Sequence, residues 1–336
     1  MFGELPKLFE RNFAMAFFLP FVVFLGMIAE IANRFGQGKS LLAVLQSDLV
    51  IGTTLLGIIS WLGGIFLLVS NRGLYRFLEG YGDWNPLKLI GGLQKRKYNK
   101  ILAELEKLDD QFREQKVAFP REQRNKRNRL MRELAERFPD REDLLLPTDF
   151  GNILRSFEVY PRVMYGIESI DGWSRILAIV PKDYRELIDN AKTQVDFWVN
   201  AGFLSILLFL EYIGFAVYTQ SLVDWWIALI LLVIAVISPR FAADAAIGWG
   251  DYIKASFDIF APKLRESLGF IPPADRDAEE RQWIAFSQAI IYRLPGRMPE
   301  LKSEIEEKPA SKRTEKSSIF ERIVVLFSDL IRQIKD

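Results

Sequence analysis

The 336-residue chain contains no cysteine and no histidine. The first absence removes disulfides and thiolate nucleophiles, and with them any need for an oxidising compartment. The second removes the imidazole base and the Ser-His-Asp and Cys-His arrangements; the two together remove Cys/His zinc sites. An excess of either charge is missing as well, since 44 Lys and Arg stand against 43 Asp and Glu, a net of +1. Proteins that hold a nucleic-acid backbone by bulk electrostatics carry a marked positive excess, so the balance argues against that class. Neither a G-x-G-x-x-G fingerprint nor a D-x-[DN]-x-[DN]-G calcium loop occurs. Gly38-Lys39-Ser40 ends like a phosphate-binding loop, but Asn33 stands where that loop needs its first glycine. Nothing in the sequence calls for a cofactor or a metal.

What is present is apolar and charged by turns. Half of the residues are hydrophobic while 26% are charged, which is an average over two kinds of segment. Four windows are long and apolar enough to span a bilayer, which takes about 20 residues. Residues 13–31 carry one charge, Glu30, at their end; residues 49–70 carry none; residues 197–219 carry Glu211; residues 222–239 carry Asp224 at their start. The expected fold is an all-α integral membrane protein: two transmembrane hairpins of four helices, with a helical cytoplasmic domain built from the middle and C-terminal regions.

The expected domains are a first hairpin over 1–70, a helical domain over 71–195 and a second hairpin over 196–240. A helical extension over 241–299, a disordered linker over 300–318 and an amphipathic helix over 319–336 complete the chain. Within the second of these, residues 94–138 have helical apolar spacing split by Pro120, as in a coiled-coil-like charged hairpin. Thr148 is an expected N-cap. From Pro181 a helical pattern runs unbroken into the third span, and the fourth runs on to Gly269. In the tail, Phe320, Ile323, Phe327, Leu330 and Ile334 form an apolar stripe that can rest on a membrane, dock or self-associate.

Lys and Arg crowd the region between the second and third spans and are absent from the turn at Gln220 and Ser221. The positive-inside bias then places both termini and the middle region in the cytoplasm, in a bacterial-type inner membrane. Trp225 and Trp226 suit an outer aromatic belt; Tyr75, Phe77, Tyr81 and Trp84 suit an inner one.

Four features carry candidate function. Glu211 lies about 12 Å inside the third span. A carboxylate there is protonated, paired or wet, so it serves either an ion path or a polar contact that locks helices. Thr53, Thr54, Ser60 and Tyr212 could bond it. Thr53, Gly57, Ser60 and Gly64 place small residues on one face of the second span, where backbones can approach closely, within the chain or in a homo-oligomer. Lys95, Arg96, Lys97 and Lys100 form a basic cluster near the membrane exit that could meet anionic lipid. The distal run from Arg121 to Arg132 has no interleaved aromatics, which weakens a nucleic-acid reading. Asn152, Arg155 and Glu158 recur at three-residue spacing on one helix face, a polar surface for docking a protein partner or a small ligand.

Those last residues sit in the densest motif of the chain: Pro147-Thr148, Gly151-Asn152, Leu154-Arg155 and Glu158, followed by Tyr165-Gly166 and Trp173. Beyond the fourth span come Gly250, Phe257-Asp258, Leu268-Gly269, Pro272-Pro273, Glu280 and Trp283. The pattern resembles a family of uncharacterised bacterial four-span membrane proteins with a P-T-x-x-G-N-x-L-R-x-x-E signature. Met164 replaces the arginine that precedes Tyr-Gly in that family. The resemblance implies a shared architecture over roughly residues 145–295 and lends no activity. The expected function is non-enzymatic: a cytoplasmic module for sensing or partner binding coupled to the spans. The alternative is an oligomeric pore or transporter using Glu211, and a membrane-bound hydrolase stands further off.

Overall fold

The computed structural model describes residues 10–37, 49–115 and 120–301, and the tail at 319–336 lies outside them. Nine helices carry the described chain. They are α1 (Arg11–Arg34), α2 (Leu49–Glu79), α3 (Gly91–Gln115), α4 (Arg121–Arg137), α5 (Asp149–Tyr165), α6 (Ser169–Ile179), α7 (Lys182–Thr219), α8 (Trp226–Ser267) and α9 (Arg276–Ile291). Among the described residues no strand forms beyond an isolated bridge between Phe270 and Leu301. Helices α1, α2, α7 and α8 are long and apolar enough to cross a membrane, and the protein is an all-α membrane protein.

The two spans of the second hairpin are far longer than a bilayer requires. At 38 and 42 residues, α7 and α8 reach about 57 and 63 Å, against a hydrocarbon core of about 30 Å. Their surplus forms the frame of a helical domain on one side of the membrane. The loop joining them lies on the other side, here the tip side. That loop is longer than the two-residue turn expected at Gln220 and Ser221. Gln220 and Asp224 both adopt positive φ, and α8 begins only at Trp226. The turn is held open because the Asp224 carboxylate bonds Arg34 at 2.5 Å, and Arg34 also bonds Glu30 at 2.7 Å. The end of α1 is thereby tied to the tip of the second hairpin. Pro239, the last residue of the fourth apolar window, lies inside α8, which runs on to Ser267 much as expected. Gly202 lets α7 approach closely there, since a Cβ at Gly202 would stand 3.0 Å from Ser238 Cβ.

Pro20 leaves a mark on α1. Proline has no N–H and its ring displaces the carbonyl four residues earlier. Residues Ala14–Phe18 wind as a π-helical turn just ahead of it. The Ala16 carbonyl, which Pro20 cannot serve, accepts instead from Asn200 Nδ2 on α7 at 2.8 Å. Asn200 is fully buried. A buried carbonyl left unpaired costs about 1 to 3 kcal/mol, and this side chain removes that cost at the break in α1.

The domain packs α5, α6 and α9 against the extended ends of α7 and α8. Phe150, Ile153 and Phe157 of α5 meet Val195 of α7, Ala246 and Phe257 of α8, and Trp283 of α9 in one buried core. Gly250 is small because the Phe157 ring occupies the space a Cβ would need. Helices α3 and α4 form a charged hairpin with its own core of Tyr98, Ile101, Leu105, Leu108, Leu130 and Phe138. Arg137 clamps that hairpin to the rest through Asp149 at 2.6 Å and Asp244 at 2.5 Å.

Candidate functional site

The signature residues of the 147–158 stretch form a joint between α5 and the end of α2. Thr148 caps α5 by accepting from the Gly151 N–H at 2.9 Å, and donates its own hydroxyl to the Leu78 carbonyl at 2.6 Å. Pro147 packs at Gly80, whose φ of +92° turns the chain out of α2. A Cβ at Gly151 would lie 2.9 Å from the Glu79 carbonyl oxygen, so only glycine allows this approach. Asn152 is fully buried. Its amide pairs with both backbone groups of Leu146, donating to the carbonyl at 2.9 Å and accepting from the N–H at 2.7 Å. Asn152 therefore does not share a solvent-facing surface with the other two residues of its predicted face. Its position one turn inside the helix points its side chain back at the loop it fastens.

Arg155 and Glu158 face open space. They form an ion pair at 3.3 Å, and Arg155 also donates to the Tyr81 hydroxyl. With Arg72, Arg76 and Glu79 of α2, and Lys192 and Trp249 of the long helices, they line a crevice of about 740 Å³. Arg72 is exposed and has no partner among the described residues. The Arg76 guanidinium stands 5.2 Å from the Tyr81 ring centroid. Burial holds the Glu158 carboxyl above the usual carboxylate range, with Arg155 opposing the shift. The crevice thus gathers three guanidiniums and an ammonium around two carboxyls.

Behind its Asn71, Tyr75 and Lys192 wall sits a buried carboxylate. Asp196 is 5% exposed. It accepts from Asn71 Nδ2 at 2.8 Å, from the Tyr75 hydroxyl at 2.7 Å and from Lys192 Nζ at 2.8 and 2.9 Å. Lys192 in turn lies 5.4 Å from the Tyr75 ring and 5.8 Å from that of Trp249, within cation–π range. A smaller recess of about 130 Å³ opens on the opposite side of Lys192 and Asp196 and is bounded by Glu10, Asn12 and Phe13. Counting 20 residues inward from the tip-side end of α7 reaches Asn200, one turn short of Asp196, which places this network at the domain-side edge of the hydrocarbon.

Sequence reasoning missed this network. Tyr75, a belt aromatic by its place in the sequence, is turned inward and only 9% exposed. A signal was available. Lys192, Asp196 and Asn200 recur every four residues and so lie on one helix face, leading into the apolar window from its charged end.

The other predicted residues do not join it. Glu211 is partly buried, and its Oε2 has no hydrogen-bond partner among the described residues. Thr53 and Thr54 donate to the Val50 carbonyl, and Tyr212 donates to the Val223 carbonyl at 2.7 Å. The small-residue stripe divides. Ser60 and Gly64 are buried, with Gly64 against Phe13 and Phe18 of α1, while Thr53 and Gly57 are exposed. The close approach continues at Gly63, beside the Phe21 ring, because α1 crosses only the domain-side half of α2 there. In the basic cluster, Lys95 pairs with Glu142 at 2.7 Å, and Lys97 lies 3.4 Å from Glu133 and 3.8 Å from Asp149. Arg96 and Lys100 are exposed, with no partner among the described residues. No family model, curated protein or solved structure matches the chain.

Proposed function

We propose that the protein is a non-enzymatic sensing module of a bacterial inner membrane. In this reading a small anionic ligand in the crevice reports to both the spans and the helical domain. The observation that carries it is the origin of the walls: Arg72 and Arg76 come from a span, Arg155 and Glu158 from the domain, and Lys192 and Trp249 from the helices that continue through both. A ligand touching opposite walls would bias the joint at Thr148 and Gly151, where α5 meets the end of α2. Guanidiniums arranged in this way suit phosphate or carboxylate groups. The absence of histidine and cysteine supports binding over catalysis. The density of Lys and Arg in the domain supports a cytoplasmic location for it and for both termini.

The test is a thermal-shift screen of purified protein in detergent, using inorganic phosphate, phosphate monoesters and dicarboxylates. At least one should raise the unfolding temperature of the wild type and lose that effect in the Arg72→Gln, Arg155→Gln double variant. Equal shifts in wild type and double variant, or none in either, would sink the ligand site. Topology is tested separately in this cysteine-free chain: a cysteine at Gln220 should react with an impermeant reagent in intact cells, and one at Asn125 should not.

A second reading has one observation in its favour. The unpartnered Oε2 of Glu211 fits an ion path in an oligomer as well as a helix lock.

A further inference from the structure

Beyond the end of α2 the chain exposes a run of large apolar side chains outside any span. Trp84 is 98% exposed, Leu89 88%, Leu93 60% and Ile90 40%. On a soluble surface such a cluster would be a liability, and it needs a cover. Two facts place it at the membrane. Helix α2 has 31 residues, about 46 Å, for a hydrocarbon core of about 30 Å, so it leans strongly or projects. It leans: Leu74, Phe77 and Leu78 near its end share an apolar cavity with Gly202 and Ile206 of α7 and with Ala235 and Pro239 of α8. Those residues lie about 14 to 26 Å along their helices from the tip side, still within the hydrocarbon depth. The last turns of α2 therefore run obliquely within the domain-side leaflet, and the segment that follows emerges at its surface.

The segment is also held in shape. Gly80 and Gly82, at φ of +92° and +98°, reverse the chain. The buried Asn85 then staples it back onto α2, donating to the Phe77 carbonyl at 2.7 Å and the Tyr81 carbonyl at 2.9 Å. Its own oxygen accepts from the Leu87 N–H at 2.9 Å and starts the short turn Pro86–Ile90. Trp84 is thus presented by a fixed scaffold rather than left on a loose loop. Along the face that begins with Leu89 and Leu93, the next positions at helical spacing are Arg96 and Lys100. These two, and Lys88, are exposed with no ion pair among the described residues, whereas Lys95 is taken by Glu142 and Asp83 is the acidic residue of the segment. An apolar wedge that grades into unpaired cations matches the order of acyl chain, glycerol region and phosphate met on leaving a bilayer.

We propose that residues 84–93 form an interfacial wedge seated in the domain-side leaflet, with Lys88, Arg96 and Lys100 on anionic lipid headgroups. This stands independently of the crevice. The test uses single cysteines, since the chain has none, placed by Trp84→Cys and Leu89→Cys and carrying a nitroxide in reconstituted vesicles. Collisions with oxygen and with a water-soluble nickel complex report depth. Phe66→Cys, on the exposed apolar face of α2, gives the lipid reference, and Arg129→Cys the aqueous one. In vesicles containing phosphatidylglycerol, positions 84 and 89 should favour oxygen several-fold over Arg129, approaching Phe66. In phosphatidylcholine alone, or with Lys88→Glu and Arg96→Glu together, both labels should shift toward the aqueous reference. Adding Asn85→Ala should make the label at 84 markedly more mobile. Nickel-dominated collisions at both positions would overturn the wedge. So would shielding from both reagents with spin–spin broadening that unlabelled protein dilutes away, because a second copy would then cover the face. The same depth in both lipids would overturn the role of anionic headgroups, and unchanged mobility with Asn85→Ala would overturn the staple.

Discussion

Helix α7 holds two partly or fully buried carboxylates, Asp196 and Glu211, 15 residues apart, and their surroundings differ in every respect. Asp196, at the domain-side edge of the membrane, receives donors from α2 and from its own helix, and is nearly saturated. Glu211, toward the tip side, has an oxygen with no donor among the described residues. The contrast follows from where the chain can supply donors. The domain-side ends of α2 and α7 carry Asn71, Tyr75 and Lys192, whereas on the tip side Tyr212 donates to the Val223 carbonyl and Thr53 and Thr54 donate to the Val50 carbonyl. A charge is cheap to hold where long polar side chains can reach it and expensive where they cannot. The domain-side edge is therefore where structure is locked, and the tip side is where a group is left available.

The strongest way to break this contrast is Asp196→Ala. Lys192 loses its counter-charge, and Tyr75 and Asn71 lose their acceptor inside the joint of α2 and α7. Removing one member of such a pair costs about 3 kcal/mol. The unfolding midpoint in detergent should fall accordingly, and Asp196→Asn should recover part of the loss, since an amide still accepts from Tyr75. A variant of wild-type stability would mean that the network is decorative.

Asn200→Leu should cost less, about 1 to 2 kcal/mol, the value of a buried hydrogen bond whose carbonyl partner is left bare. Here the sharper readout is local. Amide exchange should rise in residues 14–19 while α8 stays protected. A rise spread evenly over all four spans would show that Asn200 supports the bundle generally rather than the break at Pro20.

These two residues also mark the limit of what the sequence discloses. The four spans, the continuity of α7 and α8 beyond the membrane and the Thr148 cap are legible because they are written in local composition, periodicity and spacing. The crevice is not, because its walls come from positions as distant as Arg72, Arg155 and Trp249, which only the packing of α5 onto the end of α2 brings together. Asn152 misled for the same reason. Its spacing with Arg155 and Glu158 is that of one face, but at the first turn of a helix that face looks toward the preceding loop, which Asn152 closes. Asn200 was hidden among apolar neighbours, and Pro20 was the only hint that some carbonyl in α1 would need it.

The crevice offers a third, smaller contrast, within one ion pair. Burial raises the Glu158 carboxyl above the ordinary range while Arg155 beside it pulls the other way. Arg155, Arg72, Arg76, Lys192 and Glu79 face the same space. Below the raised value Glu158 is neutral and the cations act on a bound anion unopposed; above it the new negative charge repels that anion. Affinity for a bound phosphate ester should therefore fall a few-fold as pH rises through the window just above the normal carboxylate range. Glu158→Gln combined with Glu79→Gln, which removes both carboxyls of the crevice, should flatten that fall and keep the low-pH affinity. Persistence of the same pH dependence in the double Gln variant would move the titration to another group.

The smallest expected effect on stability belongs to Glu211, and it separates the two functional readings. If the residue is neutral and locks helices, glutamine is a fair mimic of the protonated acid. Glu211→Gln should then be nearly silent in unfolding and in every flux measurement, while Glu211→Ala should lose about 1 kcal/mol through vacated packing. If the free oxygen instead lines a wet path, its charge acts on the passing ion. Glu211→Gln should then leave the unfolding midpoint unchanged and alter ion flux, or its pH dependence, in reconstituted vesicles. Wild-type protein that passes no ion under any applied gradient, with the alanine variant merely less stable, removes the pore. Altered flux at unchanged stability in the glutamine variant removes the lock. In that case the bare carboxylate at the tip-side end of α7 would be the working group and the saturated one at Asp196 its fixed support.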